Sequence, residues 1–149
     1  MIYIQRTSPK NEDFKQLIIS LDKDLAFSDG DEHGFYNQFN GVEDVLHAVI
    51  VYVDNIPASC GAIKEYTSTT MEVKRMFTTT AFRRKGLASK NLTALETWAK
   101  ELGYKKCILE TGKRQPNAIA LYTDAGYTAI SNYGQYVGKE NSVCFEKYF

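Results

Sequence analysis

Apolar positions along the chain switch between two periods, and the switches outline the elements. Ile2-Tyr3-Ile4 predicts a short first strand. Ser8-Pro9 predicts a helix start, because proline's fixed φ suits the first helical position. Phe14, Leu17, Ile18, Leu21 and Leu25 then follow at helical spacing. The polar run Asp29-Gly30-Asp31-Glu32-His33-Gly34 breaks this pattern, and Phe35-Tyr36 and Phe39 come after it. Ala48-Val49-Ile50-Val51-Tyr52-Val53 is β-branched and aromatic, which suits a pleated surface. Asp54-Asn55 reads as a two-residue turn into a return strand over 56–66. Ser68-Thr69-Thr70 interrupts, and residues 71–78 form the next strand. There the alternation expected of a strand puts Glu72, Lys74 and Met76 on one face and Val73, Arg75 and Phe77 on the other.

The period then lengthens to that of a helix. Ala88, Leu92, Leu95, Trp98, Ala99 and Leu102 make one apolar stripe, read as core, and Gly103 stops the helix in a left-handed conformation. Residues 106–111 read as a strand. Pro116 opens a further helix, with Ala118, Leu121, Tyr122 and Ala125 on one face, and Gly126 closes it. Residues 127–130 and 142–147 are the last strands. The order is β-α-α-β-β-β-α-β-α-β-β. It predicts an α/β (α+β) fold with a central mixed sheet of six to seven strands flanked by about four helices. The helix joining strands 71–78 and 106–111 implies that these two run parallel. No Pro/Gly/Ser-rich linker interrupts the chain, so a single domain over residues 1–149 is expected.

Composition narrows the classes of function. The 149 residues carry 18 Lys+Arg and 18 Asp+Glu, a formal net charge of zero, so no overall field draws in nucleic acid or an anionic membrane. No apolar run approaches the roughly 18 residues of a membrane helix. The first residues lack signal-peptide anatomy, which leads us to expect a cytoplasmic protein. Cys60, Cys107 and Cys144 are widely spaced in apolar runs and read as buried free thiols rather than a disulfide or zinc set. His33 and His47 lack metal-ligand spacing, and no metal is expected.

The most informative stretch is Arg83-Arg84-Lys85-Gly86-Leu87-Ala88-Ser89, which follows a strand and opens a long helix. The first N–H groups of a helix have no intrahelical partner and carry the positive end of its dipole. A glycine and small residues there leave the backbone open to an anion such as phosphate. Neither a P-loop nor a G-x-G-x-x-G fingerprint is present. On the loop alone, an exposed basic helix start is the other reading.

Arg83, Gly86 and Ala88 in an R-x-x-G-x-A arrangement resemble the phosphate-loop motif of the GNAT superfamily of acyl-CoA-dependent N-acyltransferases. Met76-Phe77-Thr78 looks like the strand that precedes this loop in the family. Asn117 and Tyr122, followed by Ala125-Gly126-Tyr127, look like a second family segment. The resemblance is specific over residues 71–127 and only fold-level before Leu46. Arg84 departs from a common glycine and Thr80 from a common proline.

The resemblance implies a GNAT-like fold in which two splayed parallel strands form a coenzyme A cleft. A bulge in the first would free backbone groups of Met76, Phe77 and Thr78, one of them polarising the thioester carbonyl. The pyrophosphate would lie on the N–H groups of Arg84, Lys85, Gly86, Leu87, Ala88 and Ser89, with Arg83 to Lys85 adding charge. Asn117 would hold the pantetheine arm. Tyr122 would be the general acid; a core aromatic is its other reading. Glu72 would be the general base through water; a solvent-facing strand glutamate is its other reading. Glu110 is a third carboxylate of lower rank.

The expected reaction is therefore transfer of an acetyl group from acetyl-CoA to a primary amine, small or on a peptide, by direct attack in a ternary complex. No cysteine sits in an activated motif, which disfavours a covalent acyl-enzyme. A non-catalytic acyl-CoA-binding or sensor module is the alternative. A nucleic-acid role for Arg83-Arg84-Lys85, with Lys74-Arg75 and Lys90, is disfavoured by the neutral chain. On the acceptor side, Asp29, Asp31 and Glu32 with Phe35-Tyr36 could receive an amine, or form a solvated acidic loop. Asn132-Tyr133-Gly134-Gln135-Tyr136 reads equally as a binding loop or an ordinary one. An exposed last strand would permit a homodimer.

Overall fold

A computed structural model describes residues 1–29 and 47–149. Seven strands form one mixed sheet in the order β1-β2-β3-β4-β5-β7-β6. They are β1 (Ile2–Thr7), β2 (His47–Val53), β3 (Ile56–Thr67), β4 (Thr70–Thr78), β5 (Lys106–Gly112), β6 (Thr128–Ile130) and β7 (Ser142–Tyr148). Three α-helices occur among the described residues: α1 (Glu12–Asp29), α2 (Leu87–Glu101) and α3 (Pro116–Asp124). The expected second helix before β2 lies outside the described residues, as do Asp31, Glu32, His33, Phe35, Tyr36, Phe39 and the side chain of Asp29.

The first helix corrects its expected start. Proline at position 9 sits in a turn held by Asn11 N–H on Ser8 O at 3.1 Å. Asn11 Oδ1 accepts from Phe14 N–H at 3.1 Å, so Asn11 caps a helix that begins at Glu12. Proline's fit to the first helical turn lost to a better capping residue two positions on.

The sheet is covered on both faces, which explains the unbroken apolar run of β2. Ala48, Ile50 and Tyr52 pack under α1 with Phe14, Leu17, Ile18 and Leu21. Val49 packs on the opposite face with Leu92, Leu95 and Ala99 of α2 and Tyr122 of α3. Leu92 and Leu95 are essentially fully buried, each worth about 1.5–3 kcal/mol. The apolar stripe of α2 frays at its end: Trp98 is half-buried beneath the Arg6 guanidinium, and Leu102 is exposed. The β2–β3 hairpin turns on Asp54 and Asn55, both at positive φ (49° and 68°), as a type I′ turn requires.

The last strand is not exposed. β7 lies between β5 and β6, pairing antiparallel with each, and the sheet's edges are β1 and β6. The expected route to a homodimer through it therefore has no free edge.

Candidate active site

β4 and β5 run parallel for only three residue pairs, Thr70–Lys106, Met71–Cys107 and Glu72–Ile108. Beyond them each strand continues with a different neighbour, and a gap opens between the two. The cause lies in β4. Lys74 faces Ala62 and Phe77 faces Cys60, so Arg75 and Met76 together oppose Gly61 alone. This is a β-bulge, with Arg75 at φ 62°. Gly61 makes it possible: a Cβ there would lie 2.4 Å from Met76 Sδ, 2.7 Å from Asn91 Oδ1 and 2.8 Å from Leu95 Cδ1. The Cys60 thiol donates to the Arg75 carbonyl at 3.4 Å.

The bulge overturns the expected alternation along β4. Met76 joins Val73 on the α2 face, whereas Phe77 packs under α1 and Arg75 reaches Asp22 of α1 at 3.2 Å. It also sorts the backbone. Thr79 N–H donates to Ala58 O at 2.9 Å. Counting back along this antiparallel ladder, Phe77 turns its N–H and C=O to β3, and Met76 and Thr78 turn theirs to the gap.

The gap is a cleft of about 980 Å³. At one end stands the N-terminus of α2. Gly86 caps it in the left-handed region (φ 76°, ψ 12°), with no side-chain cap on the first N–H groups. A Cβ on Gly86 would meet nothing within 4 Å, so glycine is needed there for its φ rather than for space. Arg84, where a glycine was noted as common, also has positive φ, 64°. Arg83 is tied to scaffold: its Nε donates to Thr78 O at 2.8 Å and its Nη2 to Asp24 Oδ2 at 2.8 Å. Lys85 stacks over Phe82 at 5.7 Å.

At the other end two polar groups come from opposite faces of the sheet. Tyr122 of α3 lies on the α2 face with Val73, 6% exposed. Burial, and then the Glu110 carboxylate, push its phenol above the ordinary tyrosine range, so it holds its proton at neutral pH. Glu72 precedes Val73 on the strand and points to the α1 face, 5% exposed, which rules out its solvent-facing reading. Its Oε2 accepts from Tyr133 O–H at 2.6 Å. Tyr133 is delivered by the segment before the 3-10 turn Gly134–Tyr136, which also brings Tyr136 to the cleft. Lys74 Nζ stands 3.8 Å from Glu72 Oε1. Burial, the largest influence, holds the Lys74 ammonium below its usual pKa, and Glu72 pulls it back up.

Of the residues expected from sequence, Glu72, Met76, Phe77, Thr78, Arg83, Arg84, Gly86, Leu87, Ala88, Ser89, Asn117 and Tyr122 all border this one cleft; Lys85 does not. Glu110 borders it too. The three cysteines are buried and free. Burial pushes the Cys60 and Cys107 thiols up to about 12 and Cys144 to about 11, so none is a thiolate at neutral pH. His47 packs edge-on against Trp98, away from the cleft. Sequence reasoning assigned no role to Lys74. Its signal was present in the two-residue spacing from Glu72, which puts both on one strand face.

A mixed sheet split beside a bulged strand, with an open helix N-terminus at the mouth of the split, is the arrangement that the resemblance to the GNAT superfamily implies. The model of the Acetyltransferase (GNAT) family matches residues 14–127. The chain belongs to this family. It is 30% identical over 149 residues to IAA acetyltransferase of Azospirillum brasilense, covering 98% of this chain and 97% of that one. It is 34% identical over 93 residues to the uncharacterized N-acetyltransferase YsnE of Bacillus subtilis, covering 60% of this chain and 61% of that one. It is 41% identical over 59 residues to the uncharacterized N-acetyltransferase YjgM of Escherichia coli, covering 40% and 35%. The chain thus spans less than two thirds of the last two relatives. Among solved structures, a proposed acyl-CoA N-acyltransferase of Klebsiella pneumoniae superposes with TM-score 0.82 at 30% identity, over 99% of this chain and 97% of that one. PaiA N-acetyltransferase of Thermoplasma acidophilum, solved with coenzyme A, shares the fold with TM-score 0.74 at 15% identity, over 100% and 99%.

Proposed function

We propose that this chain is an acetyl-CoA-dependent N-acetyltransferase that acylates a primary amine by direct attack in a ternary complex. The observation that carries the reading is the placement of a phenol and a carboxylate on opposite faces of one split strand pair, with free backbone donors between them. Support also comes from family membership and from the coenzyme A complex of the Thermoplasma acidophilum relative.

The residues fit an acyl-CoA thioester. The N–H groups of Leu87, Ala88 and Ser89 open the helix with no side-chain cap and take the diphosphate. Asn117, exposed at the first turn of α3, faces the cleft where the pantetheine arm would run. Met76 N–H, directed into the gap, donates to the thioester oxygen as negative charge develops. Glu72, fixed by Tyr133, takes the proton from the acceptor ammonium, directly or through a water. Tyr122, on the far face, gives its proton to the departing sulfur. Cysteines held as thiols by burial support direct attack over a covalent acyl-enzyme.

The decisive measurement is free-thiol release from acetyl-CoA across a panel of amines. Tyr122→Phe lowers kcat by about 10²-fold or more, the usual worth of a general acid, with CoA affinity nearly unchanged. Tight CoA binding with no thiol release on any amine overturns the enzyme reading in favour of a sensor.

A further inference from the structure

Lys74 is a charged group on this cleft to which the proposed reaction gives no role. Its side chain is only 8% exposed. Glu72 is its one ion-pair partner among the described residues, and at 3.8 Å that contact is too long for a hydrogen bond. Glu110 acts on it only from farther away. The ammonium carries three N–H donors, and Lys74 lines the open cleft, where a bound molecule can accept from them. The neighbouring Arg75, by contrast, is committed to Asp22.

Glu72 and Lys74 follow one another on one face of β4, so the cleft presents a carboxylate and an ammonium side by side. The carboxylate attracts the acceptor's amine. The ammonium offers its donors to an anion held within a few ångströms of that amine. A molecule that carries an amine and a carboxylate on one carbon completes the pair. A second amine would instead meet Lys74 as a like charge. The geometry points to Lys74 as a binding residue for the acceptor's carboxylate, which makes the acceptor class a free α-amino acid. This inference rests on the acyl-transfer reading for the role of the amine, but the carboxylate site itself can be measured without turnover.

The test uses the protein saturated with CoA and calorimetric titration of L-amino acids, each paired with its own amide, which keeps the amine and side chain and removes the carboxylate. For the best side chain the acid binds at least about tenfold tighter than the amide, as a charge-assisted hydrogen bond supplies. Lys74→Met and Lys74→Gln bring that ratio to within about twofold, and Lys74→Arg, which keeps the charge, restores it. Equal binding of acids and amides by the native protein overturns the inference. So does a loss in Lys74→Met that falls equally on both, because Lys74 then only balances the charge of Glu72. The same pairs in the thiol-release assay separate the two readings. A Lys74-dependent carboxylate preference without thiol release upholds the site and removes acyl transfer. Thiol release with amides and simple amines as fast as with acids upholds acyl transfer and removes the site.

Discussion

The two ends of the cleft are built by different means. At the α2 end the working groups are backbone N–H donors, set by one short segment whose glycine holds a left-handed φ. At the other end they are side chains from β4, α3 and the segment before the Gly134–Tyr136 turn, and Glu72 and Tyr133 meet across 61 positions of sequence. The first end is local and tolerant, because any residue except proline supplies an N–H. The second is assembled by the fold, and each member is chemically specific. Substitutions should therefore separate: changes at the α2 end alter CoA affinity and stability, and changes at the β4 end alter turnover.

Glu72→Gln should give the largest effect. It keeps the shape and the Tyr133 contact but removes the base, so kcat falls about 10²-fold or more with CoA affinity held. Tyr133→Phe removes only the bond that orients Glu72, and a smaller loss, about three- to tenfold in kcat, is expected. Both are read by steady-state kinetics beside a CoA titration. A Glu72→Gln variant that loses CoA affinity instead would erase the division between the two ends.

Gly61→Ala tests what joins them. The new methyl meets Met76, Asn91 and Leu95 at under 3 Å, where Met76 belongs to the bulge and the other two to α2. Overpacking of this kind costs about 1–3 kcal/mol. Chemical denaturation reads the loss. Because Met76 must shift, turnover should fall together with stability. Full activity in a destabilised Gly61→Ala protein would show that the bulge does not place the Met76 N–H.

The same contrast explains what could be read from sequence. The α2 end was legible because a helix start, a glycine and small residues are adjacent in the chain and act locally. The strand order and the parallel pair followed from the change of hydrophobic period. The bulge was expected only through family resemblance, because nothing in residues 71–78 read alone marks Arg75 for a positive φ. Its signal sits in the partner strand, at Gly61. That is why strict alternation misplaced Arg75, Met76 and Phe77 relative to Glu72. Tyr133 could be assigned to a polar aromatic loop but not to Glu72, since a turn's direction depends on how β7 inserts between β5 and β6. The same insertion hid the last strand from the sheet edge. Pro9 misled because proline's fit to a first helical turn is a preference, and Asn11 offered a side-chain hydrogen bond.

The smallest effects belong to the α2 end, where two substitutions should move stability in opposite directions. Gly86 and Arg84 both hold positive φ, 76° and 64°. An L side chain in that region costs about 1–2 kcal/mol. Gly86→Ala adds a methyl that touches nothing, so the strain alone should cost about 1 kcal/mol, seen as a lower midpoint in thermal or urea unfolding. Arg84→Gly releases the same strain but adds freedom to the unfolded chain, worth roughly 0.5–1 kcal/mol against it. A net gain of about 0.5 kcal/mol remains. CoA affinity provides the sharper reading. Arg84→Gly removes a charge at the mouth of the cleft and keeps its N–H, so affinity should weaken by only a few-fold and that loss should shrink in high salt. A loss of a hundredfold, undiminished by salt, would mean that the guanidinium and not the backbone holds the diphosphate, and the local end of the cleft would prove as side-chain-dependent as the other.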